Sequence, residues 1–201
     1  MYGFTKENLA STVKSFNASL NNDNVELINV EFNEGTGKSG KPYKGIKFTF
    51  RREDQGVVEM LNELKLEPTD TYLKPRVQRD GSTQSVAEQL EINQKSYNTY
   101  LFHIATQYNC DLEKLVTIAS SSFKEYAIAY ADIVNESKSG KCYLKTCKNK
   151  AGYTCLPDYV PFLRNMELGS PNFSYNTREK EFIDNAESTG VKAPVTELDS
   201  L

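Results

Sequence analysis

The sequence predicts an α+β protein: a five-stranded small β-barrel with an N-terminal helix and a helical insertion between strands three and four. Three observations carry this. Residues 25–32 and 44–52 alternate apolar with polar side chains and are rich in β-branched and aromatic residues, the mark of strands with one buried face. Residues 86–136 switch to a helical apolar period. Residues 141–156 return to alternation around turn residues, which predicts a closing hairpin.

Taken in order, Leu9, Val13, Phe16 and Leu20 recur at steps of four, three and four, so a helix is expected over residues 5–21 with Thr5 as its cap. Asn21, Asn22, Asp23 and Asn24 read as its stop, because short polar side chains compete for backbone hydrogen bonds. In Val25–Phe32 the expected inward face is Ile28, Val30 and Phe32, and in Lys44–Arg52 it is Ile46, Phe48 and Phe50. The glycine-rich run NEGTGKSGKPY joins them as a hairpin loop. After the turn at Glu53–Gly56, Val57–Leu64 reads either as a third strand with Val58, Met60 and Leu64 inward or as a short helix.

Residues 67–85 hold two prolines and a glycine without apolar period and read as a loop. In the helical block, Val86, Leu90, Tyr97, Leu101, Ile104 and Tyr108 keep helical spacing, Asp111 caps a short second helix, and Ser121 or Ser122 caps a third. Gly140 closes this block; KCYLKTC and YTCL flank the turn NKAG. Residues 163–175 read as irregular, and Thr177 is a candidate cap for a last helix. The expected organisation is a single domain over residues 1–186, with the helical insertion at about 84–136, and a flexible acidic tail over 187–201.

The 201 residues, 38% hydrophobic and 25% charged, suffice for a buried core without cross-links. No apolar run approaches the roughly 20 residues of a membrane-spanning helix, and the first residues lack a secretion-signal pattern. A soluble cytoplasmic protein with reduced thiols is expected, with no membrane association.

The cysteines at 142, 147 and 155 are spaced Cys-x4-Cys-x7-Cys, unlike the close pairs of structural zinc sites, and Cys142 and Cys147 fall on opposite faces of a regular strand. No metal is expected. His103, the single histidine, sits in the helical block between Phe102 and Ile104, where a structural or surface role is more usual than that of a general base. The run from Gly35 to Pro42 superficially suggests a phosphate loop, but its spacing is wrong and it ends in proline. No catalytic constellation and no cofactor fingerprint is present, so a non-enzymatic protein is expected.

Charge is polarised beneath a net value of −3. Residues 38–52 contain Lys38, Lys41, Lys44, Lys47, Arg51 and Arg52 and no acid; residues 138–164 contain six cations against Asp158; residues 166–201 balance to minus four. Tyrosines accompany the basic runs: Tyr43 beside Lys41 and Lys44, Tyr143 beside Lys141 and Lys145, Tyr153 and Tyr159 after Lys148 and Lys150. Cations that follow phosphates, interleaved with rings on which bases stack, are what single-stranded nucleic acid requires. Lysines guarding sheet edges and tyrosines favouring strands are the competing explanation.

A three-strand meander, helices and a final hairpin give the element order of an OB-fold. With its basic hairpin carrying FTF, a helical block, a Lys-rich strand, Gly-Tyr and Leu-Pro, the chain resembles the OB-fold single-stranded DNA-binding proteins of tailed bacteriophages over residues 25–165. The resemblance implies that Tyr43, Lys44, Lys47, Arg51, Lys141, Tyr143, Lys145, Lys148, Lys150 and Tyr153 line a DNA-binding face. It also implies that the acidic tail ending TELDSL recruits replication proteins. The chain departs from that pattern in lacking tryptophan and in the length of its helical insertion. The expected function is binding of single-stranded DNA with little sequence preference, in replication or recombination in the cytoplasm of an infected bacterium. The alternative is a phage virion or assembly protein that uses its helices as an interface.

Overall fold

A computed structural model describes residues 16–37, 40–63, 74–118 and 122–189. In chain order these form β1 (Ser19–Thr36), β2 (Pro42–Arg52), β3 (Gly56–Glu63), β4 (Arg76–Val77), β5 (Thr83–Gln84), α1 (Val86–Gln107), α2 (Leu112–Val116) and α3 (Phe123–Ser137). There follow β6 (Cys142–Lys148), β7 (Thr154–Cys155), β8 (Leu163–Asn165), a 3-10 turn (Met166–Leu168) and α4 (Thr177–Thr189).

Among the described residues, six strands form an antiparallel sheet in the order β3-β2-β1-β6-β7, with β8 also on β6, while β4 and β5 make a separate ribbon. A meander whose next long strand returns beside the first is a Greek key. That topology makes the sheet compatible with an OB-fold-like arrangement in a mixed α+β chain. The five expected strands correspond to β1, β2, β3, β6 and β7; β8 and the 3-10 turn lie in a segment that reads as irregular.

The expected N-terminal helix needs correction. Residues 5–15 lie outside the described residues, and Ser19, Leu20 and Asn21 belong to β1 instead of a helix. The Asn/Asp cluster is not a stop but a bulged stretch of strand. Pairing with β6 slips between Ser19 and Asn22 and again between Asn22 and Val25, and Asn24 takes φ 55°. Asparagine tolerates that left-handed geometry better than most residues, so the same side chains that end helices also permit bulges. The inward set is Val25, Leu27 and Val30, and not the strict alternation through Ile28; the period slips between Leu27 and Val30, where Lys138 donates to the Ile28 carbonyl.

The chain forms two compact units, to which β1, β2 and β3 each contribute residues. The described residues of the first are 16–30, 48–60 and 138–189. Its core holds Phe16, Val25, Phe48, Phe50, Leu144, Leu156, Phe162 and Leu163. Strand β6 has partners on both edges: Asn22 and Val25 of β1 face Leu144 and Cys142, while β8 and β7 occupy the other edge. A buried polar knot closes the β1 side. The Thr146 hydroxyl accepts from Ser19 N and Asn22 Nδ2 and donates to Asn17 O, while Asn22 Nδ2 also reaches Leu144 O.

Helix α4 begins with a reciprocal cap: Asn176 Oδ1 accepts from Glu179 N and Glu179 Oε2 accepts from Asn176 N. Asn176, one residue before the expected Thr177, is therefore the cap. The same Glu179 oxygen receives Lys145 Nζ at 2.8 Å, and that ammonium also donates to Ser174 O and lies over the Tyr175 ring. Both side chains are less than a tenth exposed. This ion pair fastens α4 to the central strand.

The described residues of the second unit are 31–37, 40–47, 61–63, 74–118 and 122–137. Helix α1 starts in a Ser85–Glu88 capping box, which places an acid at the positive end of the helix. It ends where Asn109 takes φ 51° and Cys110 N returns to Ala105 O, a Schellman closure. Asp111 caps α2 and the Ser122 hydroxyl accepts from Glu125 N at the start of α3, both as the sequence predicts. The helices meet around Tyr97, Leu101, Ile104 and Tyr130, with the Tyr130 hydroxyl donating to Leu101 O at 2.7 Å. Burial raises the Tyr130 phenol well above its usual range, so it stays a neutral donor.

Gly45 has a definite task here. A Cβ at this position would fall 2.3 Å from the Asn62 carbonyl oxygen, which also accepts from Tyr97. Only glycine lets β2 approach the backbone there.

Two stability outcomes are expected in urea titrations. Glu179→Gln strands the buried Lys145 ammonium and should cost about 3–5 kcal/mol, while adding Lys145→Met should recover most of that loss. Gly45→Ala should cost about 1–3 kcal/mol, because the obstacle is main chain and cannot rotate away.

Candidate nucleic-acid interface

In the first unit, β6 runs into a tight turn and returns as β7, with Cys147 opposite Cys155 and Lys148 opposite Thr154. Asn149 builds the turn: its Oδ1 accepts from Ala151 N and Tyr153 N, its main-chain N donates to Tyr153 O, and Gly152 takes φ 83°. An asparagine that holds two amides and a glycine at positive φ are the usual means of making so short a return. Lys150 is exposed on this turn, Lys148 leans on the Thr154 hydroxyl, and the Tyr153 ring is 43% exposed.

Beside the hairpin lies a cleft of about 260 Å³ that Lys148, Lys150, Tyr159 and Arg178 border together with Asp158. Tyr159 is 60% exposed, and the Arg178 guanidinium sits over the Phe182 ring at 5.2 Å. Cations and open aromatic faces therefore occur side by side in one place. Sequence reasoning named Lys148, Lys150 and Tyr153 for this surface but not Arg178, which it counted within an acidic segment.

Lys141 is exposed at the start of β6, and Tyr143, half-buried, faces Arg164 of β8. Lys145 is placed differently from that expected surface. At 5% exposure, with its ammonium bound to Glu179 and Ser174, it belongs to the interior, because strands flank both edges of β6 and α4 packs on it.

Arg51 projects from β2 and pairs with Glu26 at 2.6 Å; Arg52 pairs with Asp23 and Asp54. The Arg51 hydrogen bond holds the Glu26 carboxyl below its ordinary range, with Lys141 adding to the effect, so the acid stays ionised and the pair closed at neutral pH. Lowering the pH through that depressed value would open it.

In the second unit, Tyr43, Lys44 and Lys47 lie on the first half of β2. The Tyr43 ring covers Gly35, where a Cβ would come within 2.7 Å of the phenol oxygen, so one face of this ring is occupied by its own hairpin. Lys47 pairs with Glu31, and Lys124 of α3 pairs with Glu34 and lies over Phe32. The basic run of residues 38–52 is thus answered by acids on β1: Asp23 and Glu26 in the first unit and Glu31 in the second.

No group of three or more histidine, cysteine or acidic side chains among the described residues is arranged to hold a metal ion. No helix among them is long and apolar enough to cross a membrane.

Glu26→Gln should release Arg51 for an external anion. On a heparin column the variant is expected to elute at higher salt than the parent, and unchanged elution would mean that the pair does not screen Arg51. Comparison of the chain with protein-family models, with curated proteins and with solved structures gives no match in any of the three.

Proposed function

We propose that the protein binds single-stranded DNA with little sequence preference, as an accessory to replication or recombination, through the β6–β7 hairpin and the cleft beside it. One observation carries this reading: Tyr159 borders the cleft with Lys148, Lys150 and Arg178, and Tyr153 is exposed on the hairpin turn that carries Lys150. A flexible single strand presents unstacked bases and closely spaced phosphates, and open phenol rings interleaved with cations answer both. Lys141, Tyr143 and Arg51 extend the surface within the first unit. Tyr43, Lys44 and Lys47 form a separate contribution from the second. The sequence from Gly190 onward, with Glu197 and Asp199, would recruit replication proteins by its acidic character. The role requires no catalysis and no cofactor.

The competing reading is a virion or assembly protein. It draws on an apolar groove of about 640 Å³ in the second unit, between α1, α2 and α3, where Phe102 is 56% and Val116 85% exposed. Exposed apolar surface of that kind commonly marks a protein contact.

Fluorescence anisotropy of a labelled oligothymidylate, titrated at two salt concentrations, decides between them. Binding should weaken steeply with salt, and removing both Lys148 and Lys150 as glutamines should shallow the log–log slope by about 1.4, from roughly 0.7 per lost phosphate contact. Tyr153→Ala should weaken binding about 5–30-fold, the effect of roughly 1–2 kcal/mol of lost stacking. Absence of binding at low salt, together with a stable higher assembly, would overturn the DNA reading in favour of the second.

A further inference from the structure

Cys147 and Cys155 play no part in the function proposed above, yet their placement is specific. They are direct partners across the β6–β7 ladder, and their sulfurs lie 3.7 Å apart. A disulfide requires a sulfur separation of about 2.0 Å, so closure asks for less than about 2 Å of approach, within reach of small side-chain rotations. The other two cysteines, Cys110 and Cys142, are buried elsewhere.

The pair is also reachable. Both line the cleft of about 260 Å³; Cys155 is partly exposed and Cys147 lies beneath it. The two sulfurs share a contact in which either can donate; that contact, with Lys148 assisting, lowers the Cys155 thiol against burial and the charges of Asp158 and Glu179. The same contact and burial push Cys147 up. Cys155, the more exposed of the two, is the thiol a reagent in the cleft meets first and serves as nucleophile, and the buried Cys147 is the resolving thiol. In the cleft lining Lys148, Lys150 and Arg178 outnumber Asp158 and Glu179, a balance that favours an anionic reagent.

The geometry points to Cys147 and Cys155 as a modification site that reacts with an anionic low-molecular-weight disulfide, of which glutathione disulfide is the type, and closes into an intrachain cross-strand disulfide. The Cys155 thiolate attacks one sulfur of glutathione disulfide, forming a mixed disulfide and expelling one glutathione thiolate. Cys147 then attacks the Cys155 sulfur and expels the second, and its proton passes to that leaving thiolate. The proton first lost by Cys155 converts the other to glutathione. Two protein thiols are oxidised and one glutathione disulfide is reduced to two thiols. The inference is independent of DNA binding, since it reads the state of sulfur alone.

The test uses the reduced full chain treated with glutathione disulfide, then alkylated and mapped by mass spectrometry without reductant. The expected result is loss of two of the four thiols, a mass lower by two hydrogens, and a peptide linking Cys147 to Cys155, all reversed by dithiothreitol. In C147S the reaction should stop at a glutathione adduct on Cys155, and in C155S Cys147 should stay a thiol. Thiols at 147 and 155 that survive the treatment would overturn the proposal, as would links through Cys110 or Cys142, or an unresolved adduct on the parent chain.

Discussion

Strand β6 is hydrogen-bonded along both edges and α4 packs on it, so most of its side chains are buried. Lys145 stands in the middle of that strand, so a cation sits in the interior of the first unit. An isolated ammonium there would be intolerable, and Glu179 at the start of α4 supplies its counter-charge while also capping the helix. The position of α4 is thereby set by electrostatics as well as by packing, and the cleft beside the β6–β7 turn has Glu179 and Phe182 of α4 in its lining. One carboxylate oxygen organises these contacts. Its partner, Oε1, is buried and has no hydrogen bond among the described residues.

For the apolar face of β2, period-two alternation in the sequence is enough: Ile46, Phe48 and Phe50 are expected inward and are fully buried, although Thr49 of the other face is buried too. Helix starts are equally readable, since Asp111 and Ser122 perform a local task that depends only on the next few residues. Strand β1 is another matter. Its bulges place Asn22 inside and give Asn24 a left-handed backbone, and both depend on β6, more than a hundred residues away. A local reading sees four short polar residues and finds a helix stop. The brief strand β8 is also invisible locally, because three residues cannot display a period and exist as a strand only through β6.

The candidate site divides in the same way. The hairpin at Lys148–Tyr153 announces itself through turn chemistry, and its lysine and tyrosine project from it as expected. Counting charge along the chain fails for β2, because its partners come from β1: Glu26 and Glu31 from a stretch that reads as strand, and Asp23 from one that reads as a helix stop. Lys145 carries no local sign of its burial. The Asn176-x-x-Glu179 spacing could have identified the cap, but nothing in it names the lysine. Arg178 was hidden for the opposite reason: an acidic neighbourhood in sequence is not an acidic neighbourhood in space.

The exposed ring of Tyr153 has a practical consequence for optical work. The chain contains twelve tyrosines and no tryptophan, and Tyr97, Tyr100, Tyr108 and Tyr130 are enclosed among helices. An indole introduced at position 153 would be the sole long-wavelength emitter, at a place where a ring is already tolerated facing solvent. Its colour and quenching would report on that hairpin alone, unobscured by the remaining chromophores.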